Sequence, residues 1–382
     1  MARRVLKSVQ ECEDLAYGLA FLGTGGGGGT PQLAVDFLSR ELEAGREIVL
    51  IDIADLPGEA WTVTVAGMGG RAAAEGPSKE ELAKLGLLKE RYMGLDSLTA
   101  AVQELVKYAG AKIEAIVPGE LGCFNTPGPI IVGLRLGLPA VDGDYAGRAI
   151  PEVEQMIPEV YGLPMYPMVF VDHWGDVCIL KESCSSAMAD RIGRMLCGAA
   201  FGGVGVAWYL MKAKEVQKVL AHRSLSRALE IGRARREALE RGADPAQAIV
   251  ESAGGWLLFK GEVLEEEVED RGEAYMFGYG IHHLQGIEEY EGEKFDIWYK
   301  NENHISWKNG EPYVTSPDLI SIVELETGEA KGNYYVSAGQ RVAVIGTKAH
   351  PAHRTKRGIE VLGPRHFGFE IEYVPIEDRG KG

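Results

Sequence analysis

The sequence predicts an α/β N-terminal domain with a mainly parallel sheet, followed by a β-rich C-terminal domain. Helical and strand patterns alternate between residues 9 and 144, as in chains that build parallel sheets. From residue 254 onward, short apolar or alternating runs are separated by Gly, Asn-Gly and Pro-Asp turns. The 382 residues are enough for two domains, which we place at residues 1–170 and 171–382.

Two helices flank a run of glycines near the start of the chain. Ser8 and Glu11 form a capping-box pattern, and leucines follow at helical spacing. After the glycines, Thr30 is a typical helix N-cap and Pro31 suits the first helical position. The stretch LGTGGGGGTP, residues 22–31, is therefore predicted to be the turn between two helices.

The remaining elements of the first half follow the same alternation. Predicted strands cover residues 47–53, 61–67, 112–120 and 138–144, and predicted helices cover residues 95–109 and 128–137. Ligands of parallel sheets bind at the carboxyl ends of the strands, so the loops there are candidates for a site.

The second half begins with helices and continues with strands. Residues 185–200 and 214–242 have helical patterns, and the second of these ends at a glycine. Asn309-Gly310 is a hairpin signal between two alternating runs. An antiparallel arrangement is therefore expected after residue 254.

Composition restricts the class of partner. Subtracting 56 acidic residues from 40 basic residues leaves a net charge of −16, which opposes binding to nucleic acid or to anionic membranes. The start of the chain carries no apolar segment of signal-peptide length, no apolar stretch reaches the length of a membrane span, and the five cysteines lack C-x-x-C spacing. We therefore expect a cytoplasmic protein that binds a small molecule.

The glycine turn has three interpretations. Gly23, Gly25 and Gly28 satisfy the dinucleotide pattern G-x-G-x-x-G, but that motif needs a preceding strand, so NAD(P) is not expected. A mobile surface turn explains five glycines poorly, because each ordered glycine costs entropy. The third interpretation is a nest of backbone N–H groups at a helix N-terminus, which can hold an anion or carboxylate. Its candidate ligand-binding residues are Thr24, Gly25, Gly26, Gly27 and Gly28.

Two loops at predicted strand ends carry the other candidate site residues. The stretch VPGELGCFNTPGP contains Glu120 and Asn125, and VDGDYAGRAIPE contains Asp142, Asp144 and Arg148. Carboxylates at such positions suit general acid–base catalysis or a divalent metal, although turn-capping aspartates are an equal alternative.

Cysteine and histidine give weaker signals. Cys123 is either a nucleophile or a small packed residue, and no base is adjacent to it in the sequence. His282, His350 and His353, together with Asp142 and Asp144, are weak candidates for metal ligands. The spacing H-P-A-H at residues 350–353 differs from the zinc motif H-E-x-x-H, and its proline argues against a helix.

Several stretches together resemble the S-methyl thiohydantoin desulfurase family, whose members are often encoded beside hydantoinase and oxoprolinase proteins. The stretches are LGTGGGGGTP, VPGELGCFNTPGP, LPAVDGDYAGRAIPE, SLSRALEIGR, SPDLISIVELETGE and GQRVAVIGTKA, followed by GIEVLGPRHFGFEIEYVP. The resemblance runs from about residue 9 to residue 376 and implies the same two-domain order. It also implies removal of sulfur from a thiohydantoin ring, or hydrolysis of a hydantoin-like ring.

The resulting hypothesis is hydrolytic attack on the ring carbon that bears sulfur, or on a ring amide. Asp142 or Asp144 would orient or deprotonate water, with or without a metal. Glu120 and Asn125 would hydrogen-bond the ring, the glycine N–H groups would stabilise the developing anion, and Arg148 would pair with an anionic group. The alternative is a non-catalytic or regulatory metabolite-binding subunit that partners a hydantoinase or oxoprolinase. A homo-oligomer is compatible with either.

Overall fold

The computed structural model describes residues 4–69, 77–269 and 277–379. The helices are α1 Val9–Leu22, α2 Pro31–Glu43, α3 Lys79–Lys84, α4 Asp96–Ala109, α5 Pro127–Leu136, α6 Ile157–Val160, α7 Ser186–Ala199, α8 Ala213–Val219, α9 Ser224–Glu240, α10 Pro245–Ala253, α11 Lys356–Leu362 and α12 Ile376–Arg379. The strands are β1 Arg4–Leu6, β2 Ile48–Ile51, β3 Trp61–Met68, β4 Ile113–Pro118, β5 Ala140–Val141, β6 Gly143–Asp144, β7 Met168–Val171, β8 Val177–Leu180, β9 Val204–Lys212, β10 Ala221–His222, β11 Trp256–Glu269, β12 Tyr279–Gly286, β13 Lys294–Lys300, β14 Glu302–Lys308, β15 Glu311–Thr315, β16 Leu319–Glu324 and β17 Arg341–Thr347.

An eight-stranded mixed sheet forms the centre of the N-terminal part. Its strand order is β1-β2-β5-β4-β3-β9-β7-β8. The four strands β2, β5, β4 and β3 are parallel to one another, and antiparallel strands flank them on both sides. This confirms the predicted α/β class with a parallel region. Strand β9 belongs to this sheet although it lies after residue 170.

The predicted helix over residues 214–242 is two helices, α8 and α9. Between them, Ala221 and His222 form β10, which pairs with β6, and Arg223 adopts a left-handed backbone with φ of 59°. The helical pattern of the sequence continues through this region, so the break follows from the pairing with residues 143–144 and not from a local signal.

The C-terminal part is a seven-stranded antiparallel sheet with the order β15-β14-β13-β12-β11-β17-β16. The hairpin predicted at Asn309-Gly310 joins β14 to β15, and both residues have positive φ, 55° and 83°. These observations confirm the predicted β-rich C-terminal region. None of the described helices is long and apolar enough to cross a membrane.

Helix α1 fixes the start of the glycine turn by close packing against α9. A Cβ atom added to Gly18 would lie 1.7 Å from the Ala228 carbonyl oxygen, and one added to Gly232 would lie 1.8 Å from the Asp14 carbonyl oxygen. The two helix backbones are therefore in direct contact. Arg236 adds two hydrogen bonds to the buried Asp14 carboxylate, at 2.8 and 3.1 Å. At the other end of α1, Ser321 Oγ of the C-terminal sheet donates to the Phe21 carbonyl oxygen at 2.7 Å.

We expect Gly18→Ala to lower the free energy of unfolding by about 1–3 kcal/mol, because the added methyl group forces the two helix backbones apart. Chemical denaturation measures this change. Gly198→Ala in α7 is the matched control, since a Cβ there meets nothing within 4 Å. It should leave stability unchanged or raise it by up to about 1 kcal/mol. Equal effects of the two variants would contradict the close packing.

Candidate functional site

The glycine turn joins helix α1 to helix α2, as the capping signals predict. Ser8 Oγ accepts from the Glu11 N–H at 3.2 Å, and Thr30 Oγ1 accepts from the Leu33 N–H at 3.3 Å. A helix, and not a strand, therefore precedes the turn. The strand–turn–helix geometry that a dinucleotide fingerprint needs does not occur at this turn.

The glycines are required because other parts of the chain approach the turn very closely. A Cβ added to Gly25 would lie 2.5 Å from Asn333 Nδ2, and one added to Gly26 would lie 1.8 Å from Glu302 Oε1. Gly27, with φ of 73°, would place a Cβ 2.6 Å from the backbone of the loop after β4. The turn is therefore a packed junction between the two sheets, which explains why small residues occupy it.

A cavity of about 410 Å³ lies beside this junction. Its wall combines the glycine turn, the carboxyl ends of the parallel strands β3 and β4, the start of β14 and the loop at residues 332–335. The residues with polar or large side chains in this wall include Met68, Glu120, Phe124, Asn125, Glu152, Arg194, Trp208, Asn301, Glu302, Asn333, Tyr334 and Tyr335. Both parts of the chain thus contribute to one concave site that is partly open to solvent, and ligand sites are commonly concave.

Glu120 lies in this wall, two residues beyond the end of β4, and only 7% of it is exposed. Asn125 Nδ2 donates to its Oε1 at 2.6 Å, and the Ile150 N–H donates to its Oε2 at 2.7 Å. Burial raises the pKa of Glu120 to about 7, although these two hydrogen bonds oppose the shift. The carboxyl group can therefore both lose and regain a proton near neutral pH.

Asn125 holds Glu120 in position. While its amide nitrogen donates to Glu120, its Oδ1 accepts from the Gly67 N–H at the end of β3, at 3.0 Å. The structure thus brings together Glu120, Asn125 and the turn residues Gly25–Gly28, as the sequence predicts for these members of the candidate set.

Arg148 and Thr24 do not face the cavity. Arg148 is completely buried, and its guanidinium donates to Thr24 Oγ1 at 3.1 Å and to the carbonyl oxygens of Asn303 and Pro317 at 3.2 and 2.9 Å. Its Nε donates to the Ala149 carbonyl oxygen at 2.9 Å. These bonds attach the N-terminal part to the C-terminal sheet. The expected pairing of Arg148 with a substrate anion has no support in this geometry.

The two aspartates of the VDGDYAGRAIPE loop also lie outside the cavity wall. Asp142 accepts from the Ser226 N–H at 2.9 Å and from Ser226 Oγ at 2.6 Å. Asp144 Oδ1 accepts from the Ala146 and Gly147 N–H groups, both at 2.6 Å. This is turn and helix capping, the alternative left open by the sequence. Asp144 is nevertheless close enough that its charge helps to raise the pKa of Glu120.

The weak metal candidates are dispersed. His282 Nε2 is hydrogen-bonded to Asn333 Oδ1 at 3.1 Å, and His353 Nε2 to the Gln155 carbonyl oxygen at 2.7 Å. His350 Nδ1 accepts from the Ala352 N–H at 3.3 Å. Burial lowers the pKa of each of these histidines. Asp142 and Asp144 are engaged by Ser226 and by backbone N–H groups, so this set does not form one ligand cluster.

One cluster within the described ranges has metal-ligand spacing, formed by Glu152, Glu154 and His366. Glu152 already binds Lys300 Nζ and His366 Nε2, each at 2.5 Å, and Gln155 Nε2 at 2.8 Å. The lysine therefore supplies the positive charge at this position. A divalent metal for this protein stays a prediction from the sequence.

Sequence reasoning did not find Glu302, Asn333 or Arg194. Glu302 is 275 positions from Gly27 in the chain, yet its Oε1 accepts from the Gly27 N–H at 3.3 Å. The burial of Glu302 at the start of β14 is visible only in the structure. No sequence signal marks Asn333 or Arg194 either.

Comparisons with known proteins confirm the resemblance. Models of the N-terminal and C-terminal domains described as S-Me-THD-like match residues 10–182 and 184–376. No curated protein matches the chain. A structural-genomics crystal structure of a protein from Chromobacterium violaceum has a TM-score of 0.72 and 22% identity, and the match covers 98% of this chain and all of that one. At this identity the likeness establishes a shared fold.

Cys123 lies behind the glycine turn and is 3% exposed. Its Sγ donates to the Ala16 carbonyl oxygen at 3.8 Å, and burial raises the pKa of the thiol well above its usual value. These features favour a packed residue over a nucleophile.

We expect a water-soluble disulfide reagent to label Cys178 and Cys184 in the folded protein, because these two cysteines are exposed. Cys12, Cys123 and Cys197 are buried and should react only after unfolding. Counting modified thiols by mass spectrometry checks this. Rapid modification of Cys123 in the folded protein would contradict its assignment as a packing residue.

Proposed function

The chain belongs to the S-Me-THD-like family, and on this premise we propose that it hydrolyses a thiohydantoin- or hydantoin-like ring in the cavity beside Glu120. The observation that carries the proposal is the buried Glu120 carboxyl group in the cavity wall, with its pKa raised to about 7 by burial. A carboxyl group of this kind is suited to general base catalysis at neutral pH.

Glu120 takes a proton from a water molecule in the proposed reaction. The water oxygen bonds to the ring carbon that bears sulfur, and the carbon–sulfur bond breaks. Sulfur takes the proton held by Glu120 and leaves as a thiol or as hydrogen sulfide, and the ring carbon becomes a carbonyl. One water is consumed and no atom is oxidised or reduced, so the step needs no redox partner. With a hydantoin, the same attack at a ring amide breaks a carbon–nitrogen bond.

The surroundings of Glu120 support this role. The hydrogen bonds from Asn125 and Ile150 fix the orientation of the carboxylate and leave further lone pairs for water. The cavity volume of about 410 Å³ lies within the range typical of small-molecule sites and is ample for a five-membered ring. Groups that are held in a fixed orientation beside the substrate contribute to catalysis through positioning.

We expect Glu120→Gln to reduce the turnover of 2-thiohydantoin and of its S-methyl derivative by about 100-fold or more, because the base is lost. The assay is best run near pH 8, where the carboxyl group of the wild-type protein is ionised. Loss of the thiohydantoin absorbance and release of the sulfur product give the rate.

Asp142→Asn is the matched control, because it replaces a carboxylate outside the cavity, and an amide can still satisfy the Ser226 N–H and hydroxyl. It should retain the wild-type rate. Equal rates for wild type and Glu120→Gln would contradict the proposed base. Binding of thiohydantoin by a wild-type protein that shows no turnover would favour the alternative, a non-catalytic metabolite-binding subunit.

A further inference from the structure

We propose that the ligand carries an uncharged, apolar substituent on its ring, and that a group of apolar side chains next to Glu120 binds this substituent. The identity of the ring rests on the proposed function. The evidence for the apolar group comes from the strand register and from the packing of the cavity wall.

Strand β9 contributes alternate residues to the cavity wall. Val204, Val206 and Trp208 belong to the wall, whereas Gly205 and Ala207 between them do not. Successive side chains of a strand point to opposite faces of the sheet. The face of β9 that carries Val204, Val206 and Trp208 is therefore the one that borders the cavity.

Strand β3 extends this apolar face. In the antiparallel pairing of the two strands, Met68 lies opposite Val204, and Ala66 lies opposite Val206. Residues directly opposite each other in an antiparallel pair lie on the same face. Met68 and Ala66 also belong to the cavity wall, so the two strands together present one apolar surface there.

The chain after β6 adds a second group of apolar residues to the wall, and these pack in the same hydrophobic cluster as those of β3 and β9. Each of the six residues that we call the apolar slot is 3–7% exposed, so each retains some surface for contact with a ligand. The apolar slot consists of Ala66, Met68, Ile150, Val153, Met156 and Val204.

The apolar slot begins next to Glu120. The Ile150 N–H donates to Glu120 Oε2 at 2.7 Å, while the Ile150 side chain belongs to the slot. Met156 is close to the same point, since a Cβ added to Gly119 would lie 3.3 Å from Met156 Cε. A ring that contacts Glu120 therefore has these apolar side chains as neighbours.

A second connection runs through Asn125, which donates to Glu120. Asn125 Oδ1 accepts from the Gly67 N–H at 3.0 Å, and Gly67 lies between the slot residues Ala66 and Met68. The polar group proposed to act on the ring and the apolar slot are thus joined at two places. A substituent on the ring can extend from the first to the second without leaving the cavity.

The charged side chains of the wall already bind groups of the protein. Glu152 binds Lys300 Nζ and His366 Nε2, and Arg194 donates to two backbone carbonyl oxygens. A charged substituent would lose its hydration against the apolar slot, which is unfavourable. An apolar substituent gains free energy when it leaves water for the same position.

The volume of the cavity leaves room for such a substituent. About 410 Å³ is within the range of sites that bind drug-sized ligands, whereas a bare five-membered ring is much smaller. A bare ring at Glu120 would leave the apolar slot uncovered. The apolar surface that remains in contact with water is surface that a substituent would bury.

The first test compares three ligands in calorimetric titrations of the wild-type protein. Hydantoin is the bare ring, 5-isobutylhydantoin adds a branched apolar group, and hydantoin-5-acetic acid adds a carboxylate of similar size and shape. We expect the isobutyl compound to bind about 10-fold to 100-fold more tightly than hydantoin. The acetic acid derivative should bind no more tightly than hydantoin. Equal affinities for hydantoin and the isobutyl compound, or a preference for the carboxylate, would overturn the inference.

The second test locates the substituent with Met156→Gln. Glutamine is similar in length to methionine but places an amide in the slot, so the isobutyl compound should bind within about 3-fold of hydantoin. Met211→Gln is the matched control, because Met211 packs in the same cluster and is 6% exposed but lies outside the cavity wall. It should keep the full preference for the isobutyl compound. An undiminished preference in Met156→Gln, or an equal loss in both variants, would overturn the proposed position.

Two features keep these tests decisive. Each variant is judged by the ratio of its affinities for two ligands that share the same ring, so a general change of the cavity cancels. Thermal melts show whether the variants are folded. The comparison of ligands in the wild-type protein decides the inference if a variant does not fold.

Failure of the inference and failure of the proposed function give different results. If hydantoin binds and the isobutyl compound binds no more tightly, the role of the apolar slot alone is overturned, and the turnover of Glu120→Gln still tests the reaction. If none of the three ligands binds the wild-type protein, the proposed ring substrate is wrong, and the inference falls with it.

Discussion

The contact between the glycine turn and Glu302 is the constraint on which the site depends. It joins the N-terminal turn to the first residue of β14 through the Gly27 N–H, and it requires that Gly26 carry no side chain. The same approach brings Asn333 against Gly25. A larger residue at these turn positions would separate the two parts of the chain and open the cavity. The glycines are therefore needed mainly for close packing. The Gly27 N–H donates to the Glu302 carboxyl group of the protein itself.

Arg148 reinforces this junction from behind. By donating to Thr24 and to carbonyl oxygens of the C-terminal sheet, it holds the turn and that sheet together at the base of the site. Its charge is not available to a ligand, but it acts on the buried carboxyl groups nearby. The site thus combines a structural cation with two buried carboxyl groups, Glu120 and Glu302, and burial raises the pKa of both.

Much of this arrangement could be predicted from the sequence, because its signals are local. The capping residues predict the helices on both sides of the glycines. The predicted end of a parallel strand places Glu120 and Asn125 in a loop where ligands commonly bind. Asp142 and Asp144 follow the same strand-end pattern, but they accept hydrogen bonds from Ser226 and from backbone N–H groups. The sequence does not distinguish this role from a place in the cavity, because the role depends on contacts in the folded structure. The contact of Glu302 with the turn could not be predicted, since the two residues are 275 positions apart in the chain and no sequence signal connects them. The break at Arg223 has the same cause, a pairing with a distant strand.

The most direct measurement is a crystal structure of the protein with 2-thiohydantoin or hydantoin bound. The proposed reaction requires the ring in the cavity, with an N–H group or a bound water within hydrogen-bond distance of Glu120. A ring bound next to Asp142 and Ser226, or anywhere outside the space between Glu120 and the glycine turn, would contradict it.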